Sequence, residues 1–125
     1  HMLIAVLEKK LGFALGTKDV FINLAGGIRL EDPAIDLAIA AAIASSYLEQ
    51  SVPAQTAFAA EVGLTGEVRM AGRIGLRLAE AERLGFCYVH LASRLPEGLA
   101  AQYPSLQLRT AHKVEAVMAT LFGPG

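Results

Sequence analysis

Apolar residues at positions 3, 4, 6, 7 and 11 have helical spacing, so Leu3 to Leu11 is predicted to be a helix, closed by Gly12 in a left-handed cap. Asp19 to Ala25 alternates instead, placing Val20, Ile22 and Leu24 on one face of a strand before Gly26-Gly27 turns the chain. Asp32 before Pro33 is a helix-start signal, because a carboxylate accepts from open amides and proline at the first position loses no needed hydrogen bond. The helix is predicted from Pro33 to about Glu49, and its Ala/Ile/Leu run has almost no polar face, which places it centrally.

Ser51 to Gln55, with Pro53, reads as a connection, Thr56 to Val62 as a strand, and Thr65-Gly66 as its turn into Glu67-Val68-Arg69. Helical spacing resumes near Arg73, with Ile74, Leu78, Ala81 and Leu84 as the expected buried side and Gly85 as the stop. Phe86 to Ala92 is a further strand, Leu95 to Tyr103 a loop with one helical turn, Leu106 to Arg109 a short strand and Lys113 to Leu121 a terminal helix before Gly123-Pro124-Gly125. Strands and helices in this order specify an α/β (α+β) domain around one main sheet.

Composition narrows this further. The 125 residues suit one domain, and 54% hydrophobic against 18% charged residues favours a packed core over disorder. A net charge of −1 exerts no global pull toward nucleic acid or anionic membrane, so such a contact must come from a local patch. Ala34 to Ala44 is too short to span a bilayer and carries Asp36. Cys87 is the only cysteine, which excludes an internal disulfide and a cysteine-rich zinc site and points to a reducing, cytoplasmic setting. His1-Met2 reads as the remnant of an expression tag, leaving residues 3–125 as the domain.

Most candidate chemistry has a plainer reading. His1, His90 and His112 lie far apart without partners at metal-ligand spacing, and Cys87 in a strand reads as an inert thiol. Ser45-Ser46 near a helix end is expected to bond to the preceding turn. The glycines at 26, 27, 63 and 66 make no phosphate loop, and capping or dipole compensation accounts for Asp32 and Asp36 beside Glu31. Arg69, Arg73 and Arg77 differ: they recur every four residues, and with the helix starting by Arg73 the last two project from one face, where like charges repel slightly. Two readings stand: contacts to an anionic partner such as DNA phosphate, or a solvated stripe that Glu80 and Glu82 partly neutralise. Lys9 and Lys10 favour their own helix dipole and join the patch only if the fold brings that helix alongside.

Ala-Val-Leu-Glu-Lys-Lys at 5–10, Asp19-Val20-Phe21, Ala25-Gly26-Gly27, Asp32-Pro33-Ala34-Ile35-Asp36-Leu37-Ala38, Ala44-Ser45-Ser46 and Gly63-Leu64-Thr65-Gly66-Glu67-Val68-Arg69 occur in an informative order. As a set they resemble the C-terminal Lon-protease-like domain of the bacterial RadA (Sms) DNA repair family, from about Leu3 to Phe86 and more loosely beyond. The resemblance implies a Lon catalytic-domain-like, ribosomal protein S5 domain 2-like fold, here starting inside the domain and without the strand segment that relatives place before it. Lon peptidases use a serine–lysine dyad. The family's serine falls on Ala34 and its lysine on Gly75, so the resemblance implies no peptidase.

It further implies a noncatalytic scaffold that supports a homo-hexameric ring and DNA binding, in a parent protein that drives branch migration of recombination intermediates with a RecA-like ATPase. ATP, Mg and Zn belong to that parent and no cofactor to this chain. DNA, further copies of itself and a recombinase are the implied partners, with no membrane. The competing reading is an oligomerisation or peptide-binding module that makes no DNA contact.

Overall fold

The computed structural model describes residues 33–123. The expected helix over Leu3 to Leu11 with Lys9 and Lys10, the strand over Asp19 to Ala25, the Gly26-Gly27 turn and the Asp32 cap lie outside the described residues. The described part is a mixed α/β domain with one four-stranded sheet.

A tight 3-10 turn, Pro33–Ile35, leads into α1, Asp36–Leu48. Leu37, Ile39, Ala40, Ala41, Ile43 and Ala44 of α1 are buried, as its lack of a polar face requires. Asp36 is not a cap: one carboxylate oxygen accepts from the Val62 amide at 3.1 Å, across 26 residues. The Ser45 hydroxyl donates forward to the Gln50 carbonyl rather than back to the preceding turn, and Glu49 closes the helix in the left-handed region.

The strands are β1, Thr56–Val62; β2, Val68–Met70; β3, Tyr88–Ala92; and β4, Gln107–Ala111, in the spatial order β2-β1-β3-β4. β2 runs antiparallel to β1, with Val62 opposite Val68, while β1, β3 and β4 are mutually parallel. The crossover from β1 to β3 carries α2, Ile74–Arg83, and α3, Val114–Phe122, follows β4. Side-chain alternation divides the core between the two faces of the sheet. Ala60, Val62 and Ala92 pack with α1 and with Val114, Val117 and Met118 of α3. Ala59, Val89 and Leu91 pack with Ile74, Leu78 and Ala81 of α2 and with Leu99 and Leu106. Small residues at 57, 59 and 60 let helices approach β1 from both sides.

Several expected boundaries move, each for a hydrogen-bonding reason. β3 begins at Tyr88 rather than Phe86 because the preceding residues close α2: Gly85 donates to the Glu82 carbonyl and Phe86 to that of Ala81, the paired bonds of a Schellman motif. Cys87 therefore lies just before the strand and is half-buried, its thiol on the Gln55 amide oxygen at 3.0 Å. β4 starts one residue later than expected and extends to Ala111, because Thr110 and Ala111 pair with Leu91 and Ala92. Leu84, the last residue before Gly85 turns the chain, is 58% exposed rather than buried. Among the described residues no helix is long and apolar enough to cross a membrane.

His90 is the one buried polar side chain among the described residues, 3% exposed, with its ring stacked on Phe58 at 5.4 Å between centroids. Burial, and then the charge of Arg109 on β4, pull its pKa from the ordinary 6.5 down to about 4.

Two predictions follow from this packing. Leu78→Ala is expected to cost about 2–5 kcal/mol in urea unfolding and Leu84→Ala about 0.5 kcal/mol or less, the contrast between a filled core and a solvated side chain. For His90 the unfolded chain binds the proton more readily, so stability is full above about pH 6.5 and falls as the pH drops toward 4. Urea midpoints of His90→Phe across that range are expected to be flatter than those of the wild type.

Candidate nucleic-acid interface

The region from Gly63 to Arg77 contains the three arginines singled out in the sequence, and its geometry begins in the β1–β2 turn. Gly63 donates to the Glu67 carbonyl at 2.8 Å, and Gly66 donates back to Gly63 at 3.0 Å with φ at +80°, a conformation that favours glycine. A side-chain carbon on Gly63 would lie 2.3 Å from a carboxylate oxygen of Glu67, so a larger residue there would make that carboxylate swing away from the turn.

The Glu67 carboxylate accepts from the Thr65 hydroxyl at 2.8 Å, the Thr65 amide at 3.0 Å and the Arg69 guanidinium at 2.9 Å. These donors, the Thr65 hydroxyl foremost, push its pKa down to about 2. Arg69 on β2 is thus half of a surface ion pair with Glu67.

Arg73 and Arg77 are placed differently. Arg73 caps α2 in the left-handed region, at φ +57°, and its carbonyl accepts the backbone amide of Arg77 at 3.1 Å. The Arg77 Nε donates to the Gly72 carbonyl at 2.7 Å, folding that guanidinium back over the start of the helix. Both arginines line a groove of about 460 Å³ between α2 and the sheet. Ala57, Ala59, Val89 and Phe86 form its apolar side, while Leu76 and Leu84, 66% and 58% exposed, stand along it.

The structure therefore brings Arg73 and Arg77 to one groove and leaves Arg69 outside it; Lys9 and Lys10 fall outside the described residues. The expected neutralisation by Glu80 and Glu82 does not take that form. Glu80 lies on the groove but pairs with Arg83, which lowers its carboxyl pKa, and Glu82 accepts from the Ser105 hydroxyl at 2.7 Å. Two guanidinium groups beside the positive end of a helix can meet phosphate oxygens, and an apolar wall carrying Phe86 can take a base or an apolar side chain. Sequence spacing pointed to the arginines but not to the groove, whose wall includes Phe86 after the chain turns at Gly85.

Ala34 is buried in the turn before α1, beside β1. Gly75 is the second residue of α2, its carbonyl accepting from the Tyr103 hydroxyl at 3.1 Å. Among the described residues no group of three or more His, Cys, Asp or Glu side chains could hold a metal ion.

Comparison with known proteins adds two findings. A family model described as subunit ChlI of Mg-chelatase matches residues 3–92. Proteins named DNA repair protein RadA are also similar. The chain is 47% identical to that of Streptococcus pyogenes serotype M3 over 98 residues, 78% of this chain and 22% of that protein. It is 51% identical to that of Halalkalibacterium halodurans over 85 residues, 68% of this chain and 19% of that protein. With that of Listeria monocytogenes it shares 45% over 85 residues, again 68% and 19%. The chain spans about a fifth of the length of these curated relatives.

The Glu67 network yields a direct prediction. A carboxyl held at about 2 contributes stability above the ordinary carboxylate range, and that contribution is lost as the pH falls toward 2. Thr65→Val, which removes the leading donor, is expected to raise the Glu67 midpoint toward the ordinary range in a carboxyl ¹³C NMR titration. An unmoved midpoint would assign the effect to the amides and Arg69 instead.

Proposed function

The chain belongs to the ChlI family, and from that membership we propose that it is a noncatalytic, Lon-like scaffold domain of a RadA-type DNA repair protein, supporting a homo-hexameric ring and DNA contact. The observation that carries the repair reading is the 47% identity with a RadA protein over 98 residues. The chelatase description belongs to the family model, whereas these relatives bear a repair name.

The absence of peptidase chemistry is part of the proposal. If the Lon serine and lysine correspond to Ala34 and Gly75, the first offers a buried methyl and the second no side chain, so neither supplies a nucleophile or a base. ATP, Mg and Zn would serve the motor and zinc finger of the longer parent, which acts in the cytoplasm on recombination intermediates by branch migration and in contact with a recombinase. The Lon-like, S5 domain 2-like fold is likewise proposed, on the four-stranded sheet with helices on both faces.

In this reading DNA meets Arg73 and Arg77, a choice supported by their shared groove, with Arg69 secondary because of its Glu67 pair. A second reading, an oligomerisation or peptide-binding module without DNA contact, is favoured by one observation: Leu76 and Leu84 stand exposed beside the same apolar groove.

Fluorescence anisotropy with labelled DNA across a salt series separates the two. If the arginines neutralise phosphates, Arg73→Ala with Arg77→Ala lowers affinity for every sequence and reduces the slope of log K against log salt by about 1–2. Unchanged affinity and slope would leave the groove to a protein segment.

A further inference from the structure

A smaller cavity, of about 230 Å³, lies on the opposite face of the sheet from the arginine groove. β1 contributes Thr56, β3 Tyr88 and His90, β4 Arg109, and α3 Thr120. The Arg109 guanidinium lies 4.8 Å from the centre of the Tyr88 ring, a cation–π contact that holds it beside the opening. It is the only charge among the described lining residues.

His90 is the observation that points to a ligand. Its ring is 97% buried against Phe58, yet neither nitrogen makes a hydrogen bond to any described residue. No buried side-chain nitrogen or oxygen among the described residues is both sealed and unpartnered, so the His90 nitrogens open into the cavity. A nitrogen shielded in that way takes its hydrogen bond from within the cavity, from water or from a bound group that displaces it. Thr56 can supply another contact, since its present bond to the Ala54 carbonyl is 3.5 Å long and easily exchanged. The Thr120 hydroxyl donates to the Ala116 carbonyl at 3.0 Å and presents its oxygen as an acceptor.

We propose that this cavity binds a compact oxyanion of the phosphate type, with Arg109 pairing its charge, His90 donating a hydrogen bond and Thr120 accepting from a protonated oxygen. The volume is below the roughly 300 Å³ at which drug-sized pockets begin, which suits an anion rather than an extended ligand. Tyr88 and Arg109 are the titratable or charged groups facing His90 from β3 and β4; β1 and α3 present Thr56 and Thr120, and α1 contributes no lining residue. A bound anion offsets the charge of Arg109, so it favours the imidazolium and raises the His90 pKa. The inference stands apart from the DNA reading, which uses the other face.

The test is a titration of the chain with inorganic phosphate, balanced by chloride at constant ionic strength, followed in long-range ¹H–¹⁵N spectra of the imidazoles. His90 is expected to respond saturably, with a dissociation constant on the order of millimolar, while His112 does not follow. The His90 protonation midpoint rises by about one unit in saturating phosphate, a tenfold linkage. Arg109→Gln weakens binding about tenfold or more, a loss of the size expected for one charged partner. His90→Phe, which keeps an aromatic ring on Phe58, retains a folded spectrum but loses the rise in unfolding temperature caused by phosphate. An oligonucleotide whose 5′-phosphate competes better than its 5′-hydroxyl counterpart identifies the source as a nucleic-acid end, and failure of both to compete identifies free phosphate. A His90 response that never saturates, that chloride reproduces, or that persists undiminished in Arg109→Gln overturns the proposal.

Discussion

The turn from Val62 to Val68 is the junction on which the rest of the described structure depends. Asp36 at the start of α1 accepts the Val62 amide, Gly63 and Glu67 close the turn, and the Val68 amide reaches the His112 carbonyl at 2.8 Å. The Gly66 carbonyl accepts the first amide of α3, that of Val114, at 2.9 Å. Backbone groups at helix starts and strand ends need partners, and here one short segment partners four elements at once. The same segment directs the chain into β2 and on to Arg73, so the groove inherits its position from these bonds.

How much of this was legible in the sequence depended on how local the cause was. α1 and the central strands follow from composition and alternation, and Gly85 marked the end of α2 because a Schellman motif needs a residue in the left-handed region. Leu84 misled the pattern: its amide still bonds to the Glu80 carbonyl, but it stands at the flank of the face that buries Ile74, Leu78 and Ala81 and stays exposed. Asp36 starts its helix as the sequence suggests, but it also accepts from a strand amide 26 residues away that no local rule identifies. His90 gave no signal as one of three scattered histidines, because only the register of Phe58 beside His90 and of His90 beside Arg109 reveals a buried imidazole below a cation.

The candidate site shows the same division. Repetition of arginine every four residues drew attention to Arg69, Arg73 and Arg77, but helical spacing does not govern all three. Arg69 lies on β2 and is bound by Glu67; Arg73 is the left-handed cap; only Arg77 lies within the helix. Arg73 and Arg77 nevertheless share the groove, because the Arg77 side chain folds back to Gly72. An apolar wall flanked by two cations suits either a nucleic-acid strand or an apolar peptide, and the proposed function takes the former.

The most direct test of that account is an NMR titration of the ¹⁵N-labelled chain with a short single-stranded and a short duplex DNA, reading backbone amides together with arginine Nε–H groups. The account predicts saturable shifts concentrated at Arg73, Arg77 and Phe86, weakening steeply as salt is raised. No shifts at saturating DNA, or shifts confined to residues outside the groove, would contradict it.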